Sequence, residues 1–275
     1  MRRLLTFECE GELLAGSLDE ADGKIGVLIV TGGSQTRIGS HRVFERLANS
    51  LSQRGFGCFR FDRRGVGDST GEDPGFGQSG PDLEAAVQAF RGAAPTMDHI
   101  IGLGLCDGAT ATALHGLAIG LEGAILVNPW LVEAESGEMA PSAVRAHYRK
   151  RLLSVEGWKK LISGGVNFRK LASGMRKAGS RTDTSLADRA AFGLQIMDQP
   201  AIVILASGDA TAIAAAAELK RAAFQGAIAS IREVDTDSHT FARPGDLDAL
   251  EEAVLAALAQ MQEELARNRL GRPLM

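Results

Sequence analysis

A chain of 275 residues, 45% hydrophobic and 23% charged, can bury one large α/β core or two small ones without disulfide or metal support. Its net charge of −4 gives no global pull toward nucleic acid or acidic membranes. The three cysteines, Cys9, Cys58 and Cys106, are too few and too scattered for a disulfide framework or a zinc site. They point to a reducing compartment, with the cytoplasm as the default. The opening MRRLLTFECEGEL is broken by Glu8 before a signal-peptide core can form. No apolar run is long enough for a membrane span. No cofactor and no metal is expected.

In chain order, LLTFEC and ELLAGSL read as two short strands joined by a turn at Glu10-Gly11. KIGVLIV (24–30) is a nearly continuous apolar run of the kind that suits a buried parallel strand, and it ends in Thr31-Gly32-Gly33. Residues 41–54 have helical periodicity, with Val43, Phe44, Leu47 and Leu51 on one face and Gly55 as the stop. Strands follow at 56–62, 99–105, 123–128, 201–207 and 227–234, and helices at 81–91, 107–118 and 246–267. This alternation predicts an α/β fold, a mostly parallel sheet flanked by helices on both faces with right-handed crossovers. The core is expected from 1–129 and 199–275.

Residues 130–198 interrupt the rhythm. They hold both tryptophans and the one tyrosine, and no clear strand-like run. Twelve Lys and Arg against seven Asp and Glu give the segment +5, so the rest of a −4 chain carries −9. The segment reads as a helical cap insertion, or equally as a solvated helical face without a ligand role.

The sharpest motif is Gly104-Leu105-Cys106-Asp107-Gly108, placed after HIIGLGL and before a helix. A strand-to-helix elbow holds its nucleophile in a tight turn and needs small residues two before and two after it. The side chain should then stand exposed at the carboxyl end of the sheet, where α/β folds place their ligands. The helix N-terminus favours an anion there, while the carboxylate of Asp107 works against a thiolate. The plain alternative is a buried structural thiol, the expected fate of Cys9 and Cys58. Gly102-Leu103-Gly104 could also begin a dinucleotide fingerprint, but the sixth position is Asp107 and no acid ends the next strand.

A thiol nucleophile needs a base, and the base needs an orienting group. His239, in TDSHTF between the last strand and the closing helix, is the expected base. Asp209, in Ser207-Gly208-Asp209 after the strand AIVILAS, is the expected acid, with Asp235 and Asp237 as rivals. His99 and His115 read as structural. His41 and His147, with Arg37, are candidates for touching substrate. The oxyanion hole needs two backbone N–H groups: one from Asp107, the other from Gly33 or, next, Ser34.

Asp62-Arg63-Arg64-Gly65-Val66-Gly67-Asp68-Ser69 resembles the DxRGxGxS turn of α/β-hydrolases. With GLCDG, SGD and Ser238-His239, four landmarks fall in that superfamily's order and imply its fold. More closely, GGSQTRIGSHR (32–42), FDRRGVGDS and a cysteine elbow resemble the exosortase A system-associated hydrolase 1 group, found with bacterial exopolysaccharide and protein-sorting loci. Ser34 stands where that group is expected to have proline. The cysteine elbow is also similar to that of dienelactone hydrolases.

Together these readings predict acyl transfer through Cys106, His239 and Asp209, with an acyl-thioester intermediate. A thiolate suits esters and thioesters better than amides. The basic insertion would suit an anionic, carrier-linked substrate, such as one on coenzyme A, acyl carrier protein or an acidic glycan. The competing classes are a non-catalytic binding protein and an interaction partner of an exopolysaccharide or protein-sorting system.

Overall fold

The computed structural model describes residues 1–132 and 185–271, with side chains through residue 267. The predicted strands form one eight-stranded sheet, in the order β1-β2-β4-β3-β5-β6-β7-β8. The strands are β1 Arg2–Cys9, β2 Glu12–Asp19, β3 Ile25–Val30, β4 Gly57–Phe61, β5 His99–Leu105, β6 Ala124–Val127, β7 Ala201–Ala206 and β8 Ser230–Val234. The β1–β2 and β2–β4 pairs are antiparallel, and every other pair is parallel. The opening hairpin turns at Glu10 (φ 50°) and Gly11 (φ 87°), two left-handed residues whose twist matches paired strands.

The longer helices among the described residues are α1 Val43–Gln53, α2 Gly80–Ala93, α3 Asp107–His115, α4 Leu186–Met197, α5 Ala210–Glu218 and α6 Asp246–Gly271. Burial sorts them into two layers. Val27, Ile29, Leu103 and Leu105 share a core with Val43, Phe44 and Leu47 of α1 and with Val254, Leu258 and Met261 of α6. The opposite face packs on α2 through Leu83, Val87 and Phe90, on α3 and α4, and on α5 through Ala212 and Ala215. The central strands β3, β4 and β7 are buried along their whole length, as strands covered on both faces must be.

Gly102 and Gly104 lie on the α3 side of β5. A Cβ on Gly102 would meet Thr112 Cγ2 at 2.7 Å, and one on Gly104 would meet the Ala109 backbone at 2.5 Å. They are the clearance that lets α3 lie directly on its strand, which explains the glycines without a dinucleotide.

Three local features stand beside the sequence reading. Strand β8 begins at Ser230 rather than 227, and a short 3-10 turn, Ala222–Phe224, lies upstream of it. Helix α5 was not foreseen, although an alanine-rich run after a capping aspartate favours one. Leu186–Met197, which the sequence reading placed at the end of the insertion, packs into the core layer. Gly193 lies so close to α3 that a Cβ there would fall 2.2 Å from the Ala113 carbonyl oxygen. The rest of the expected insertion, 133–184, lies outside the described residues. Among the described residues no helix is long and apolar enough to cross a membrane.

Candidate active site

The carboxyl ends of β3, β5, β6, β7 and β8 carry the residues singled out above. Cys106 follows β5 directly as the N-cap of α3, with φ 60° and ψ −123°. A non-glycine residue there stores strain, which is characteristic of functional turns. The turn is held from several sides. The Cys106 N–H donates to the Val127 carbonyl at 2.9 Å, and the Cys106 carbonyl accepts from the N–H groups of Ala109 and Trp130, both at 3.1 Å. Gly108 passes so close to β3 that a Cβ would lie 2.5 Å from the Val30 carbonyl oxygen. The two elbow glycines are therefore required by backbone contact.

Cys106 is 1% exposed, which corrects the expectation of an exposed side chain. It belongs to the apolar cluster that also contains Phe241, with Trp130 packed against it. The other two cysteines are core thiols. Burial pushes the Cys58 thiol far up, and burial also raises Cys9, so neither is poised to react.

On the opposite side of the site, His239 Nδ1 lies 2.9 Å from Asp209 Oδ2. Asp209 is also the N-cap of α5, its Oδ2 accepting from the Ala212 N–H at 3.0 Å. Capping holds the carboxylate still, and the carboxylate in turn orients the ring. His239 Nε2 is buried and has no hydrogen-bond partner among the described residues. Of the rival acids, Asp235 lies near Ser207 Oγ (3.5 Å), and Asp237 is ion-paired with Arg243.

Asn128, which directly follows β6, has no role assigned in the sequence analysis. Fully buried with φ 44°, it accepts from the Ala206 N–H at 2.8 Å and donates from Nδ2 to the His239 carbonyl at 3.2 Å. It thus ties the ends of β6 and β7 to the histidine loop, one residue beyond the carbonyl that anchors Cys106. The available signal was an asparagine at a strand end, a residue type that tolerates positive φ. Phe241, also left-handed at φ 55° and 3% exposed, anchors the other side of that loop.

The residues expected to form the oxyanion hole lie on the loop after β3 and at the start of α3. The Gly33 N–H donates to Asp107 Oδ1 at 2.5 Å, so the donor expected to face a substrate oxygen is occupied by a carboxylate. Asp107 is 3% exposed, and its own N–H belongs to the first turn of α3, where helix amides have no intrahelical acceptor. Ser34 is exposed on the same loop. The Gly33 carbonyl accepts from Arg63 Nη2 at 2.6 Å. Arg63, quoted above only as part of a turn motif, is therefore a second residue that sequence reasoning missed.

Arg37, a candidate for touching substrate, is bound into the protein framework. Its Nη1 pairs with Asp62, Nη2 reaches Asp68 at 2.8 Å, and Nε donates to Ser17 Oγ at 3.1 Å. Every guanidinium nitrogen is thereby committed to the framework around the Asp62–Ser69 turn. Asp62, fully buried, also accepts from the Arg37 N–H at 2.5 Å and the Asp68 N–H at 3.1 Å. His41 is exposed in the turn before α1 with φ 54°. His115 ends α3, and burial lowers its pKa, which keeps the ring neutral. His99 lies 3.8 Å from Glu122 at the far end of β5. His147 falls outside the described residues.

An eight-stranded, mostly parallel sheet, a strained strand-to-helix elbow, and a histidine after the last strand bound to an acid after the preceding one define an α/β hydrolase. The chain belongs to the family described as serine aminopeptidase, S33, whose profile matches residues 26–185. That description specifies serine, whereas the elbow here carries Cys106. No curated protein matches the chain in sequence. Among solved structures, the Pyrococcus furiosus esterase Pf2001 shares 14% identity over 95% of this chain and 93% of its own, with a TM-score of 0.64. XC6422 from Xanthomonas campestris, described as a serine hydrolase without lid, shares 19% identity over 94% of each chain, with a TM-score of 0.60. A dienelactone hydrolase from Anabaena variabilis shares 16% identity over 94% of this chain and 95% of its own, with a TM-score of 0.59. At these identities the likeness is one of fold.

Proposed function

We propose that the chain is an esterase-like acyl-transfer enzyme acting through Cys106, His239 and Asp209 on a small-molecule ester or thioester. The observation that carries this reading is the His239–Asp209 pair. With Nδ1 committed to a carboxylate at 2.9 Å, the neutral ring keeps its proton there and presents Nε2 as a base. Nε2 is buried and without a partner among the described residues, which leaves it available for a proton taken from the nucleophile.

In the proposed cycle His239 Nε2 takes the Cys106 thiol proton. The sulfur attacks the acyl carbonyl carbon, and the carbonyl π pair moves onto oxygen. Collapse of the tetrahedral intermediate expels the alkoxide or thiolate, which takes the proton from His239. Water, or another acceptor, gives a proton to His239 as it attacks the acyl-thioester carbonyl; collapse of that second intermediate breaks the C–S bond, releases the carboxylic acid or acylated acceptor, and returns the proton from His239 to the Cys106 thiolate. Asp209 holds the imidazole tautomer and offsets the imidazolium charge. The esterase name of the Pyrococcus furiosus relative is consistent with an ester substrate. A carrier-linked, anionic substrate, a reducing cytoplasmic location and a place beside an exosortase-type system remain extensions of this proposal. They are supported by the basic 130–198 segment, the absence of disulfides among the three cysteines, and the quoted motif resemblance.

A second reading is favoured by two specific observations: Cys106 is 1% exposed, and the Gly33 N–H is already occupied. Both suit a binding protein that keeps the fold without turnover. Intact-mass analysis after mixing with p-nitrophenyl acetate separates the two. One acetyl group on the wild type, missing from Cys106→Ala, is the expected result. An unmodified wild type with no ester cleavage above that variant would favour the binding reading.

A further inference from the structure

Gly33 is gripped at both of its polar groups. Asp107 Oδ1 takes its N–H at 2.5 Å, and Arg63 Nη2 donates to its carbonyl at 2.6 Å. Arg63 is 3% exposed and is itself steadied by Asp73 Oδ2 at 3.3 Å. The preceding residue is pressed onto the elbow as well. A Cβ on Gly32 would lie 2.4 Å from the Leu105 carbonyl oxygen, 2.6 Å from Asp107 Oδ1 and 3.1 Å from Cys106 Cβ. The loop after β3 thus sits against the nucleophile turn with one of its amides turned onto a buried anion.

The location is chemically consequential. An oxyanion hole works because preorganised N–H donors face the position where negative charge develops, and donors already in place require no reorganisation. Here the first residue of α3 supplies a negative charge of its own, at a helix N-terminus that stabilises anions. A substrate oxyanion and the Asp107 carboxylate compete for one donor, and two adjacent like charges repel.

We propose that Asp107 is a positioning residue that occupies the oxyanion site in the resting protein, so that Gly33 N–H serves a substrate only once the carboxylate has moved aside. This rests on the reading of Cys106 as the nucleophile. Acylation then carries the added cost of displacing Asp107. The residue sets the acylation rate rather than substrate affinity, and loss of its charge raises activity. A purely structural helix-terminal aspartate would give the opposite sign.

The test uses the full-length protein as wild type, Asp107→Ala, Asp107→Asn and Cys106→Ala. Single-turnover acetylation by p-nitrophenyl acetate is followed by intact mass, with kcat and KM measured separately. The expected result is acetylation of Cys106 about tenfold faster in Asp107→Ala, with Asn intermediate and the change in kcat rather than KM. An adduct that appears only in the Asp107 variants supports the proposal equally. Equal or slower acetylation in folded Asp107 variants overturns it while leaving Cys106 as the nucleophile. Absence of a Cys106-dependent adduct from every variant overturns both readings. The Gly33 amide proton gives a readout independent of turnover. It should be strongly downfield in the wild type and move upfield in Asp107→Ala. A Gly33 amide at an ordinary glycine position in the wild type, which needs no variant to fold, overturns the proposal.

Discussion

The two sides of the site are built by the same device, a loop at the carboxyl end of a parallel strand, yet they end in different states. On the histidine side, Asp209 caps α5 and orients His239, and both hydrogen bonds use Oδ2. On the oxyanion side, Asp107 at the start of α3 reaches across to the loop after β3 and occupies the Gly33 amide. Each carboxylate stands at a helix N-terminus, where an anion is favoured. One binds a histidine ring and the other a backbone amide. A carboxylate at a strand-to-helix junction is therefore uninformative about its role until the partner across the site is known.

The largest expected effect comes from breaking the histidine side. His239→Gln keeps a polar side chain but removes the base, and should lower acyl turnover by about 10²–10⁴-fold. Ester cleavage measured beside wild type checks this, and a loss of less than about threefold would remove His239 from the base role.

Next comes Gly32→Ala, on the oxyanion side. The new Cβ meets backbone at Leu105, which cannot swing away, and Asp107 Oδ1 at 2.6 Å. A stability loss of about 1–3 kcal/mol is expected from overpacking. Thermal melting reads the loss, and the nitrogen-15 spectrum of the His239 ring should stay close to wild type. A shifted ring spectrum would mean that the two sides are mechanically coupled.

The smallest effect separates the two tasks of one residue. Asp209→Asn retains a good N-cap, whereas Asp209→Ala loses the bond to the Ala212 N–H. Both should lose activity alike, since neither carries the charge that orients His239. The alanine variant should be less stable by about 1 kcal/mol, measured by urea unfolding. Equal stability would mean that the cap contributes nothing at this helix.

Much of this was legible in the sequence because it depends on local pattern. Short apolar runs such as IGVLIV and AIVILA suit strands covered on both faces, and the buried face of α1 follows from Val43, Phe44, Leu47 and Leu51. The elbow glycines, the hairpin turn at Glu10-Gly11 and the chain order of Cys106, Asp209 and His239 could be read for the same reason. Helix α5 was missed although its alanine run and capping aspartate were visible. What only the tertiary structure decided is pairing across sequence distance. Asn128 reaches His239 over 111 positions, Asp107 reaches Gly33 over 74, and Arg63 reaches Gly33 over 30. Arg37, which in sequence looked placed for substrate, is consumed by Asp62 and Asp68. A polar side chain has several partners of suitable chemistry, and burial forces it to take the one that the folded backbone brings within hydrogen-bonding distance. Periodicity specifies which face an element buries, but only the packed chain specifies which donor meets which acceptor.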